Sequence, residues 1–129
     1  MTSSIQNISK HSSKMSEEGN KRWLVRLERI IETNSDNHAI SNEQLAEKLD
    51  LSERHLIRKM NELTGLSPQK YLRIFRLKKA MNYIRSGKYK TVKETAHAVG
   101  YTNVSYFIIQ FEKKYGKRPL EILRQYGWR

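Results

Sequence analysis

The chain has 129 residues, 37% hydrophobic and 29% charged, which is enough apolar material for one modest core or two small ones. It contains no Cys, so a disulfide scaffold and a thiolate metal site are excluded, and a reducing compartment fits. The net charge is +12, and residues 65–129 carry all of it, with 15 Lys+Arg against 3 Asp+Glu, whereas residues 1–64 hold 10 of each.

Basic charge at that density calls for a polyanion partner, whether DNA, RNA or an anionic membrane; the plain alternative is a soluble domain that is merely basic. No apolar run approaches the roughly 18 residues that span a membrane. No apolar signal-peptide core follows Met1. The expectation is a cytoplasmic protein, with no membrane contact by this segment.

Residues 1–20 are Ser-rich and polar without a sustained period, and read as a flexible arm or linker. A sensory domain preceding this chain is a candidate partner there. From about Lys21, Trp23, Leu24, Leu27, Ile30 and Ile31 recur at three and four, the period of an amphipathic helix that fades at Thr33-Asn34-Ser35-Asp36. Ser41 and Gln44 have capping-box spacing and open a second helix, with Leu45, Ala46 and Leu49 as its apolar stripe. Asp50-Leu51 makes a turn. Ser52 caps a third helix whose Leu56, Met60 and Leu63 face inward, and Gly65 ends it.

Ser67-Pro68 opens a longer helix that runs to about Arg85 and stops at Gly87. Its apolar residues hold two faces: Tyr71, Leu72 and Phe75 group on one side, Leu77, Met81 and Ile84 about half a turn away. A helix that changes its buried side midway packs against two bodies. The earlier scheme then returns. Thr91 and Glu94 have capping-box spacing, Ala96 and Val99 form the stripe, and Gly100 is the turn. Asn103 caps a helix with Phe107 and Phe111 inward, which Gly116 ends. Pro119 opens a last short helix through Ile122 and Leu123 to Tyr126, closed by Gly127.

The two schemes superimpose as a repeat. Ala46 matches Ala96 and Leu49 matches Val99 at an offset of 50; Leu56 matches Phe107, Met60 matches Phe111, Gly65 matches Gly116 and Pro68 matches Pro119 at an offset of 51. The predicted fold is all-α, with about seven helices. Residues 21–66 and 87–129 are two helix-turn-helix subdomains, and 67–86 the linker helix between them.

In a helix-turn-helix the second helix enters a major groove, whose width matches a helix with its side chains. With Leu56, Met60 and Leu63 inside, the opposite face of the first recognition candidate carries Arg54, Arg58 and Asn61, edged by His55 and Ile57. Arg bonds guanine bidentately, Asn does the same to adenine, and Ile touches a thymine methyl. His55 reaches a phosphate or a base, or is simply solvated. The second candidate presents Ser105, Ile109 and Glu112, flanked by Tyr106 and Lys113. An exposed Ile makes no hydrogen bond to a base, and Glu112 repels phosphate unless it pairs with a cytosine amino group or a neighbouring Lys. Either this half reads weakly through thymine methyls, or Ile109 is covered by the last helix or a protein partner. Lys88, Lys90, Lys93, Lys113, Lys114, Lys117 and Arg118 surround it as phosphate contacts, which would make affinity fall steeply with salt. The helix N-termini at Ser41 and Thr91 add backbone N–H donors for phosphate.

No enzyme is expected. His11, His38, His55 and His97 lack metal-ligand spacing and paired carboxylates. Gly87-Lys88 and Gly116-Lys117 lack the earlier Gly of a phosphate-binding loop, since Asn82 and Phe111 stand there. No metal or cofactor is implied.

The segment Ala96–Pro119, AHAVGYTNVSYFIIQFEKKYGKRP, resembles the signature of AraC/XylS-type transcription regulators. LSERHLIRKMNELTGLSPQKYLRIFRLKKA is similar to that family's first unit and linker helix. The resemblance covers about residues 22–126 and is especially close to output domains at the C-termini of hybrid sensor kinases. It implies two recognition helices in adjacent major-groove segments of double-stranded DNA. Base-reading positions fall on Arg54, Ile57 and Arg58, then on Ser105 and Ile109. Three departures stand out: Ile109 where a basic residue is common, Glu112 where Lys is usual, and Arg118 before Pro119 where Thr, Ser or Pro is usual. RNA polymerase is a further candidate partner. The competing reading is a protein-interaction module with a degenerate second unit that contacts RNA polymerase or a sensor partner. Nonspecific RNA binding fits the charge but not the repeat, because RNA readers stack bases on exposed aromatics and the aromatics here are mainly inward.

Overall fold

The computed structural model describes residues 17–34 and 40–126. Seven α-helices form among them and no strand: α1 Glu17–Thr33, α2 Asn42–Lys48, α3 Glu53–Thr64, α4 Pro68–Ser86, α5 Val92–Ala98, α6 Val104–Tyr115 and α7 Pro119–Gln125. The chain divides into two compact units. One holds α1 to α3 and the start of α4 through Leu72; the other holds α4 from Arg73 onward and α5 to α7. That division falls within the first apolar group of α4, leaving Tyr71 and Leu72 in one unit and Phe75 in the other.

Most of the expected arm lies outside the described residues, but its boundary at residue 20 moves back. Helix α1 begins at Glu17, and Asn20 is fully buried. Glu17 and Glu18 place negative charge against the positive end of the helix dipole, and Glu18 pairs with Arg22 one turn on, at 3.8 Å. No apolar residue stands between Glu17 and Arg22 to reveal this in a hydrophobic period. Gly127, expected to close the last helix, also lies outside the described residues.

Local chemistry sets the other boundaries. Ser41 and Gln44 make the full capping box: Ser41 Oγ accepts from Gln44 N–H at 3.1 Å, and Gln44 Oε1 accepts from Ser41 N–H at 2.9 Å. Ser67 Oγ accepts from Lys70 N–H at 3.2 Å at the head of α4. The box expected at Thr91 is only half formed. Thr91 Oγ1 accepts from Glu94 N–H at 3.0 Å, but the Glu94 carboxylate reaches one residue further back, to Lys90 N–H at 3.2 Å. Arg118 caps α7 with no side-chain bond, and its N–H donates to Glu121 Oε1 at 3.2 Å.

In the first unit Trp23, Leu27 and Ile31 of α1 are buried together with Leu45, Ala46, Leu49, Leu56, Met60 and Leu63. In the second, Leu77, Ala80, Met81 and Ile84 of α4 join Ala96, Val99, Phe107, Phe111, Ile122 and Leu123 in one core. Each fully buried Leu or Phe contributes roughly 1.5–3 kcal/mol relative to exposure. These cores turn the opposite faces of α3 and α6 outward.

Candidate nucleic-acid interface

Helix α3 starts where Ser52 Oγ accepts from His55 N–H at 3.1 Å and ends at Gly65, whose N–H donates to the Asn61 carbonyl at 2.9 Å in a left-handed conformation. Burial of Leu56, Met60 and Leu63 leaves Arg54, His55, Ile57, Arg58 and Asn61 all exposed. The neighbouring Lys59 is turned away from that face, with Nζ 5.2 Å from the Trp23 ring centroid. Partial burial lowers its pKa, against the opposing effect of Glu62.

Helix α6 repeats this construction. Asn103 Oδ1 accepts from Tyr106 N–H at 2.9 Å, and Gly116 closes the helix at φ 76°, the same φ as Gly65. Ser105, Tyr106, Ile109, Glu112 and Lys113 are exposed. Ile109 is 53% exposed, so the last helix does not cover it. Tyr106 packs against Tyr101 of the preceding turn, with centroids 6.2 Å apart, while Tyr101 lies 5.2 Å from Phe107. Glu112 pairs with neither neighbouring Lys; its carboxylate faces Arg118 Nε at 3.6 Å. Lys113 and Lys114 lie one and two positions from Glu112 on the helix and do not face it, whereas Arg118, beyond the Gly116 turn, does.

The expected phosphate contacts Lys88, Lys90, Lys93, Lys113, Lys114 and Lys117 are all exposed, and two of them adjoin aromatic rings. Lys88 Nζ lies 5.7 Å from the Tyr83 ring and 5.9 Å from the Tyr89 ring, and Lys114 Nζ lies 5.4 Å from Tyr115. Such cation–π contacts hold an ammonium without neutralising it. The Ser41 N–H is already committed to Gln44, so Ser41 has only its hydroxyl proton to offer a phosphate. The Thr91 oxygen is engaged in its cap and leaves its own proton in the same position.

Two features escaped the hydrophobic period. Arg76 on α4 is 8% exposed and lies beside Tyr101, which is equally buried. Burial lowers the Arg76 pKa and raises that of Tyr101, each partly offset by the other. Lys79 Nζ approaches Tyr83 at 5.8 Å, joining the basic aromatic group at the end of α4. Among the described residues no cluster of three or more His, Asp or Glu is placed to hold a metal, and no helix is long and apolar enough to cross a membrane.

Residues 45–125 match the family described as a helix-turn-helix domain. The chain belongs to the AraC/XylS-type helix-turn-helix family. It is 34% identical over 107 residues to the HTH-type transcriptional activator RhaS of Escherichia fergusonii, which covers 81% of this chain and 38% of that protein. The chain therefore spans little more than a third of the length of that relative. The C-terminal domain of the two-component response regulator yesN from Fusobacterium nucleatum is 31% identical, with a TM-score of 0.68 over 75% of this chain and 93% of that one. A DNA-binding transcriptional dual regulator from Escherichia coli K-12 is 29% identical, with a TM-score of 0.71 over 78% and 88%. The family is one of DNA-binding transcription regulators and not of enzymes. The reading as a degenerate protein-interaction module finds no support in these likenesses.

Proposed function

We propose that this chain is the sequence-specific, double-stranded-DNA-binding part of a cytoplasmic bacterial transcription regulator, with its two recognition helices in adjacent major-groove segments. The observation that carries the reading is the exposed face of α3, where Arg54, Ile57, Arg58 and Asn61 stand opposite a fully buried apolar stripe. Arg54 and Arg58 read guanine edges, Asn61 reads adenine, and Ile57 touches a thymine methyl. On α6, Ser105 and Ile109 face the bases, and the exposed Ile109 restricts that half to apolar contact with thymine. His55, Tyr106, Ser41, Thr91, Lys88, Lys90, Lys93, Lys113 and Lys114 hold the phosphates and carry the salt dependence. A sensory domain elsewhere in the polypeptide and RNA polymerase complete this reading, in keeping with the much greater length of the RhaS relative.

Selection from random duplex oligonucleotides, read across a salt series, tests it. Two short enriched blocks about one helical turn apart are expected if both units read bases. One enriched block beside a featureless half would confine base reading to α3. Absence of enrichment, with binding that vanishes at moderate salt, would overturn sequence-specific recognition.

A further inference from the structure

The second unit carries a cleft of about 590 Å³ between the start of α5, α6 and α7. Its floor is apolar: Val92, Ile108, Leu120 and Leu123 line it, and Leu120 is 44% exposed. Its rim is basic, with Lys90, Arg118 and Arg124, and no carboxylate lines it. The carboxylates nearest in sequence are bonded to the rim residues themselves, two of them through backbone N–H groups. Glu94 accepts from Lys90 N–H and Glu121 from Arg118 N–H, while Glu112 faces the Arg118 side chain. Among the described residues neither Lys90 nor Arg124 forms an ion pair with a carboxylate, and both stand at the edge of an apolar floor.

A DNA phosphate has no use for that floor. Ile108 is partly buried against the core of the second unit, whereas the neighbouring Ile109 is exposed. Apolar contact ringed by cations suits an amphipathic helix with the opposite charge, laid by its apolar side into a groove. We propose that this cleft docks an acidic amphipathic helix of a partner protein. Apolar side chains of that helix enter against Ile108, Leu120 and Leu123, and its carboxylates meet Lys90 and Arg124. Charge complementarity of this kind favours encounter and fixes orientation, while the apolar contact holds the complex.

The test uses this chain and a fluorescein-labelled peptide of about four helical turns, with Leu on one face and Glu on the other. A peptide of the same composition in scrambled order is the control. Fluorescence anisotropy should show saturable binding of the amphipathic peptide only. Backbone amide shifts should concentrate at Val92, Ile108, Leu120 and Leu123. Leu120→Gln keeps the charge and removes the apolar contact, so peptide affinity should fall roughly tenfold while binding to the selected duplex is unchanged. Arg124→Glu should weaken the peptide several-fold, in a salt-dependent manner, and provides a second variant with its own readout. Equal binding of the scrambled peptide, shifts scattered over the basic surface, or Leu120→Gln binding as tightly as the parent would each overturn the proposal. Amide shifts at Leu120 and Leu123 on adding duplex alone would reassign the cleft to DNA. Since duplex binding is measured separately, failure here is distinguishable from failure of DNA recognition.

Discussion

Asp50 in the first unit and Gly100 in the second occupy the same place in their helix-turn-helix turns, and both take positive φ, 60° and 100°. The turn needs a left-handed residue after the first helix. In both units the residue after it closes back onto the first helix: Leu51 N–H donates to the Ala46 carbonyl and Tyr101 N–H to the Ala96 carbonyl, each at 2.9 Å. Asp tolerates the left-handed region near 60° better than most residues, whereas 100° is glycine territory. Gly100→Ala should therefore cost about 1–3 kcal/mol, read as a lower urea midpoint with unchanged slope. Asp50→Gly should stay within about 1 kcal/mol of the parent, because relief of strain offsets the lost Arg26–Asp50 contact at 3.1 Å. A Gly100→Ala variant as stable as the parent would mean that the turn adjusts.

Glu112 is the one carboxylate on the outward face of α6, and Arg118 already partly offsets it. Both side chains are half-exposed or more, so the pair adds little to stability. Its effect lies in the field at the DNA. Glu112→Gln should leave the melting temperature nearly unchanged and tighten binding to all duplexes by a few-fold at low salt, with a steeper salt slope as Arg118 is released. A gain confined to one sequence would instead make Glu112 a base contact.

The fold was largely legible because the helices from Asn42 to Tyr115 carry their own starts and stops. Ser41, Ser52, Ser67, Thr91 and Asn103 cap the helices expected of them, and Gly65, Gly87, Gly100 and Gly116 take positive φ at the expected ends and turns. What escaped was chemistry outside the hydrophobic period. Nothing apolar marks Glu17–Arg22 as helix. Arg76 reads as a surface residue by type, yet α4 turns it inward beside Tyr101. The aromatic rings beside Lys88 and Lys114 were not foreseen either. The outward faces of α3 and α6 were legible because burial of one stripe leaves only one alternative. The cleft was not, since α5, α6 and α7 build it together.

Alkaline stability should depend on Tyr71. Its hydroxyl donates to Glu28 Oε2 at 3.1 Å, and burial, reinforced by that carboxylate, raises its pKa to about 12. A raised tyrosine pKa means that the folded chain keeps its proton after the unfolded chain has begun to lose it, at the ordinary value of 10.0. The contribution is complete below pH 10 and is lost as pH rises towards 12. Burial raises Tyr101 and Tyr115 in the same direction. Tyr71→Phe should cost up to about 1 kcal/mol near neutrality and flatten the fall of the urea midpoint over that alkaline window. Parallel curves for parent and variant would exclude Tyr71 as a source of the fall.

Arg58 and Lys113 should separate base reading from phosphate binding. Both are exposed cations on proposed recognition helices, but Arg58 stands on the face opposite Leu56, Met60 and Leu63, and Lys113 at the edge of the α6 face. A bidentate Arg–guanine contact discriminates by about 1–3 kcal/mol against the wrong base, whereas a phosphate contact carries no sequence information. Arg58→Ala should therefore weaken the selected duplex by that amount and relax preference at one base pair, with a smaller loss on unrelated DNA. Lys113→Ala should weaken every duplex alike and reduce the salt slope by about 1. Paired titrations of the selected and an unrelated duplex, each over a salt series, read both effects. If Arg58→Ala lowered the two affinities equally, Arg58 would be a backbone contact, and base reading by α3 would rest on Arg54, Ile57 and Asn61.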